Sequence, residues 1–99
     1  QNRSTGGREV RILRMTKKLP DGSYELTDPD QLREAIQRLG QAEDALESLS
    51  EQYHAMEAKL EAERSRGHGT RSVTFNRMLA EKLMLSGMLE RFRFHGVEL

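Results

Sequence analysis

Through an otherwise polar stretch, residues 29–66, hydrophobic positions recur every seven residues. Leu32, Leu39, Leu46, Tyr53 and Leu60 lie at seven-residue steps, and Ala35, Ala42, Leu49 and Met56 follow the first four of them by three residues. This is the a and d seam of a long helix that packs on other helices. The helix–helix seam expected from it comprises Leu32, Leu39, Ala42, Leu46, Leu49, Tyr53, Met56 and Leu60, with Ile36 at its edge.

The ends of that helix are punctuated. Asp28 can cap it, Pro29 suits the first helical position, and Gln31 completes a capping-box pattern with Asp28. Gly67 is a stop signal just after Arg66. Gly40 interrupts an otherwise good helical sequence at a cost of about 1 kcal/mol relative to alanine. The heptad phase runs through Gly40 without a slip, which predicts one continuous helix over 29–66, with a break there as the alternative.

A second helix is expected over 73–94, capped by Ser72 or Thr74 and stopped at His95–Gly96. Its pattern differs in kind. Phe75, Met78, Leu79, Leu83, Met84, Leu85, Met88, Leu89 and Phe92 spread over roughly 260° of a helical wheel. One neighbouring helix cannot cover so wide an arc. Leaving five large side chains wet forfeits on the order of 8–15 kcal/mol, at 1.5–3 each. These nine residues are the expected partner interface, shared with a second copy or another helical protein.

Upstream, residues 8–19 read as a strand in which Val10 and Ile12 alternate with charged residues, with a bulge near Ile12–Leu13. Pro20, Asp21 and Gly22 form a turn, and Tyr24 and Leu26 alternate in a short returning strand. A two-stranded hairpin alone is marginal in water. It is expected to lie over Leu32, Ile36 and Leu39 or to pair its edge with another chain.

The expected fold class is therefore mainly α with a minor β part. An N-terminal β-hairpin precedes a long antiparallel helical hairpin, and two copies dimerise into a four-helix bundle with the second helices inside. The expected organisation is a disordered lead (1–7), a basic β-hairpin (8–27) and the helical hairpin (28–99), within a single domain.

Composition supports this picture. Apolar residues make up 35% and charged residues 32% of 99 residues, which suits a helical hairpin better than a compact α/β core. Net charge is zero, but residues 1–19 carry an excess of basic groups and residues 20–66 an excess of acidic ones. There is no cysteine, which excludes disulfides and zinc–thiolate sites and fits a cytoplasmic setting. No apolar run is long enough for a transmembrane span, so no membrane partner is expected. The absence of an initiating methionine fits a fragment or a processed product.

Little in the chain points to chemistry. His54, His68 and His95 are never three or four residues apart, so no helical metal pair exists. A catalytic role would need a ligand-sized pocket beside His54 or His68. Glu43, Asp44, Glu47 and Glu51 form an acidic strip that reads as a solvated helix face. The glycine pairs Gly6–Gly7 and Gly67–Gly69 lack the lysine and spacing of a phosphate loop, and no cofactor is expected. The methionines Met15, Met56, Met78, Met84 and Met88 read first as core filling and second as an adaptable binding surface. The basic arm offers a rival function: Arg8, Arg11, Arg14, Lys17 and Lys18 on a β-ribbon are possible nucleic-acid contacts, although a neutral chain without interleaved aromatics is poorly suited to it. The function expected is a non-catalytic protein–protein interaction or oligomerisation module.

Overall fold

The computed structural model describes residues 10–67 and 72–99. Expectations that fall on residues 1–9 and 68–71, among them the lead, Arg8 and His68, lie outside the described residues. The order of elements is β1 (Thr16–Lys18), β2 (Tyr24–Leu26), a 3-10 turn (Pro29–Gln31), α1 (Leu32–Ser65) and α2 (Val73–Phe94). The chain forms two compact units that divide inside α1, between Leu39 and Gly40.

In the first unit β1 and β2 pair antiparallel, with Thr16 opposite Leu26 and Lys18 opposite Tyr24. The turn forms as its residues dictate. The Leu19 N–H donates to the Ser23 carbonyl at 2.8 Å, the Gly22 N–H donates to the Leu19 carbonyl at 2.9 Å, and Gly22 takes a positive φ of 92°. Asp21 accepts from both the hydroxyl and the backbone N–H of Ser23, and that hydroxyl bond above all holds its carboxyl below the usual carboxylate range.

The first strand is much shorter than the alternation over residues 8–19 predicts. Residues 10–15 carry no regular structure. The reason is the returning strand. The Thr27 N–H still reaches the Met15 carbonyl at 3.0 Å, but Asp28 and Pro29 then turn the chain into the helix. Nothing is left to pair with residues upstream of Met15, and a strand without a partner has no ladder. The Arg38 guanidinium instead donates to the Leu13 carbonyl.

The start of α1 departs slightly from a capping box. Asp28 is extended and its side chain accepts from the Asp30 N–H at 3.0 Å, closing the 3-10 turn that leads into α1. Among the described residues, no side-chain bond from Gln31 returns to Asp28. The helix runs unbroken for 34 residues, so Gly40 does not end it. A Cβ added at Gly40 would meet nothing within 4 Å. Gly40→Ala is therefore expected to stabilise the chain by about 0.5–1 kcal/mol, measured by urea denaturation.

In the second unit α1 and α2 pack as an antiparallel hairpin. The α1 helix closes on Gly67, whose φ of 80° suits glycine and whose N–H donates to the Arg64 carbonyl at 3.0 Å. Ser72 caps α2, its hydroxyl accepting from the Phe75 N–H at 2.8 Å. At the far end Gly96, with φ 95°, donates to the Arg93 carbonyl, after a basic last turn of Arg91 and Arg93.

Cross-helix contacts give the antiparallel sense directly. The Arg64 guanidinium lies 5.5 Å from the Phe75 ring centroid. Further along, the Lys82 ammonium lies 3.8 Å from Glu57 and 5.6 Å from the Tyr53 ring. The core between the helices consists of Met56, Leu60, Phe75, Leu85 and Leu89. Glu63, seven residues after Met56, is also buried, and the exposed Arg66 guanidinium pairs with it at 3.0 Å.

The seam is thus covered only along its second half. Leu46, Leu49 and Tyr53 are half-buried and Met56 and Leu60 buried, whereas Leu32, Leu39 and Ala42 are exposed. Neither the β-hairpin nor any other described segment hides Leu32, Ile36 and Leu39, because two three-residue strands offer too few apolar side chains.

Candidate protein interface

The nine apolar residues of α2 divide by where the helix wheel puts them. Phe75, Leu85 and Leu89 point at α1 and are buried by the chain itself, so they do not belong to a free surface. Met78 and Leu79 are half-buried at its margins. Leu83, Met84, Met88 and Phe92 stay exposed. Met84, Met88 and Phe92 follow one another at four-residue steps, which stacks them along one side of the helix. Met84 keeps 57% and Met88 43% of its surface open to solvent. Leu83, at 61%, lies on a different side.

Charged groups sort along the same line. Lys82 reaches across to Glu57, and Glu90 and Arg93 hold each other. Among the described residues, Arg77, Glu81 and Arg91 make no ion pair. All three are exposed and share the outer side of α2 with Met84 and Met88.

The other sequence-marked residues do not converge. Of the basic arm, Lys17 pairs with Glu25 at 3.2 Å, Lys18 lies 5.9 Å from the Tyr24 ring, and the Arg14 guanidinium donates to the Thr16 carbonyl at 2.8 Å. These groups are engaged along the hairpin's own surface. Glu43, Asp44, Glu47 and Glu51 are exposed on α1. Among the described residues no group of acidic or histidine side chains is arranged to hold a metal ion, and no helix is long and apolar enough to cross a membrane.

Beside His54 there is a cleft of about 250 Å³, lined by Ser50, Tyr53, Ser86, Leu89, Glu90, Arg93 and Leu99 as well as His54. The sequence gives no hint of it. It opens where Ser50 on α1 and Ser86 on α2 fill less volume than the larger residues around them. It is smaller than usual ligand pockets, and its charged and imidazole groups are already engaged. His54 Nδ1 lies 3.1 Å from Glu57, outside the lining, and Arg93 is held by Glu90. No nucleophile–base hydrogen bond joins the lining residues among those described.

In comparisons with known proteins, no family model matches this chain, no curated protein matches it, and no solved structure matches it.

Proposed function

We propose that this chain is a non-catalytic protein–protein interaction or oligomerisation module, in which a helical partner covers the outer side of α2 and completes a four-helix bundle. The observation that carries the reading is the exposure of Met84, Met88 and Phe92 along one side of a helix already packed through another. Each fully buried side chain of this kind contributes about 1.5–3 kcal/mol, so three that are roughly half exposed leave about 2–5 kcal/mol per chain unclaimed. Two such faces together, less the cost of association, support weak pairing, well short of the nanomolar range.

Sedimentation equilibrium of the purified chain from micromolar to millimolar concentration tests this. The expected result is a mass that rises with concentration towards twice that of the chain, and Met84→Lys is expected to hold it at the monomer value. A compact monomer of the unaltered chain at every concentration ends this reading.

A further inference from the structure

Resting on the reading above, the charge pattern of α2 points to a particular occupant and a particular orientation. Arg77, Glu81, Met84, Met88, Arg91 and His95 follow one another at alternating four- and three-residue steps, and all are exposed. This is the spacing of a coiled-coil seam. It lies on the side of α2 turned away from the buried Phe75, Leu85 and Leu89. It is apolar only at its centre and charged on both flanks, with opposite signs at Glu81 and Arg91.

We infer that two copies of this chain pair through α2 antiparallel, about a twofold axis at the level of Ser86, so that Glu81 of each copy faces Arg91 of the other across a core of Met84 and Met88. An antiparallel seam matches each a position with a d position of the second copy. Centred at Ser86, that rule sets Met84 opposite Met88 of the second copy twice over, and Glu81 opposite Arg91 twice over. Arg77 falls opposite His95. Both members of each ion pair are groups that find no counter-charge within their own chain's described residues. On one flank Ala80 stands opposite Phe94 of the second copy, a small side chain against a large one. Gly87, where a Cβ would meet nothing within 4 Å, faces its own counterpart.

The competing orientation fails on the same residues. A parallel pair sets Arg77 against Arg77, Glu81 against Glu81 and Arg91 against Arg91, like charges at facing positions in three layers. Like-charge juxtaposition is what selects against wrong pairings. A helix from an unrelated protein would have no reason to find its charges spaced about Ser86 with twofold symmetry, whereas a second copy has them by identity.

Charge reversal tests the pairing. By sedimentation, Glu81→Arg and Arg91→Glu are each expected to raise the dimer dissociation constant about tenfold or more, since each turns two attractions into two repulsions. The double variant is expected to return it to within about threefold of the unaltered chain. Circular dichroism checks that helix content is kept, and the double variant contains both changes, so its recovery cannot come from misfolding. Orientation is read separately. The chain has no cysteine, so Arg91→Cys introduces a single thiol, and in the antiparallel pair the two thiols sit roughly 15 Å apart along the axis, too far for a disulfide. Oxidation is expected to leave the chains unlinked. Single reversals that leave a normal dimer, a double reversal that does not recover, or ready disulfide-linked dimers through Arg91→Cys each overturn the pairing while the interaction reading stands. An unaltered chain that remains monomeric overturns both.

Discussion

Replacing Phe75 with alanine is expected to cost about 3–5 kcal/mol, enough to unfold most of a small helical domain at room temperature. Phe75 is 2% exposed, the largest side chain wholly enclosed by this chain. It sits one turn into α2, where the Ser72 cap fixes its backbone, and the Arg64 guanidinium lies against its ring. Truncation therefore removes an aromatic ring, a cation–π contact and the packing beside the connection between the helices at once. Urea denaturation followed by circular dichroism measures the loss. A change below about 1 kcal/mol would mean that the helices do not meet at Phe75.

The second large effect is a contrast between neighbours. Leu85→Ala is expected to cost about 2–5 kcal/mol and Leu83→Ala only about 0.5 kcal/mol. From sequence both belong to one apolar arc expected to be shared with a partner. In the structure Leu85 points at α1 and is buried, while Leu83, two residues earlier and so turned well away, is exposed. Nor does Leu83 lie on the seam assigned to the second copy, so dimerisation does not restore its cost. Paired denaturation curves at a single protein concentration check this. Equal losses at the two sites would place the α1-facing side of α2 wrongly.

The same two residues show what the sequence could and could not convey. The helices, their caps and their antiparallel order are local matters, readable from the seven-residue repeat, from Ser72, and from the glycines at 67 and 96. The width of the apolar arc on α2 was also readable, but its division was not. Which part faces α1 depends on the rotation of one helix against the other, and a helix apolar over most of its circumference offers several rotations of similar worth. The covered length of the seam was hidden for a related reason. A repeat records where a helix can pack, while α2 decides how far it does. Hence Ala42, which the repeat places on the helix–helix seam, is exposed and free to accept a larger side chain. Glu63 is the opposite case. The repeat, continued one step beyond Met56 and Leu60, lands on it, yet a carboxylate seldom earns a buried position without a partner, and Arg66 one turn on supplies one.

The strand expected over residues 8–19 forms only at Thr16–Lys18, because alternation describes a residue's fitness for a sheet and not the presence of a neighbour. The beginning of α1 at Asp28 deprives residues 10–15 of the neighbour they need. No side-chain pattern inside those residues could reveal that limit.

Because Leu32, Ile36 and Leu39 gain so little from burial, the first turns of α1 are held chiefly by their own backbone bonds, whereas the turns around Met56 and Leu60 are clamped by α2. Amide protons at the two ends of this one helix should consequently leave by different routes. Near Leu32 a brief fraying suffices, and near Leu60 exchange waits for the hairpin to open. One continuous helix thus carries a gradient of protection from its loose beginning to its secured end.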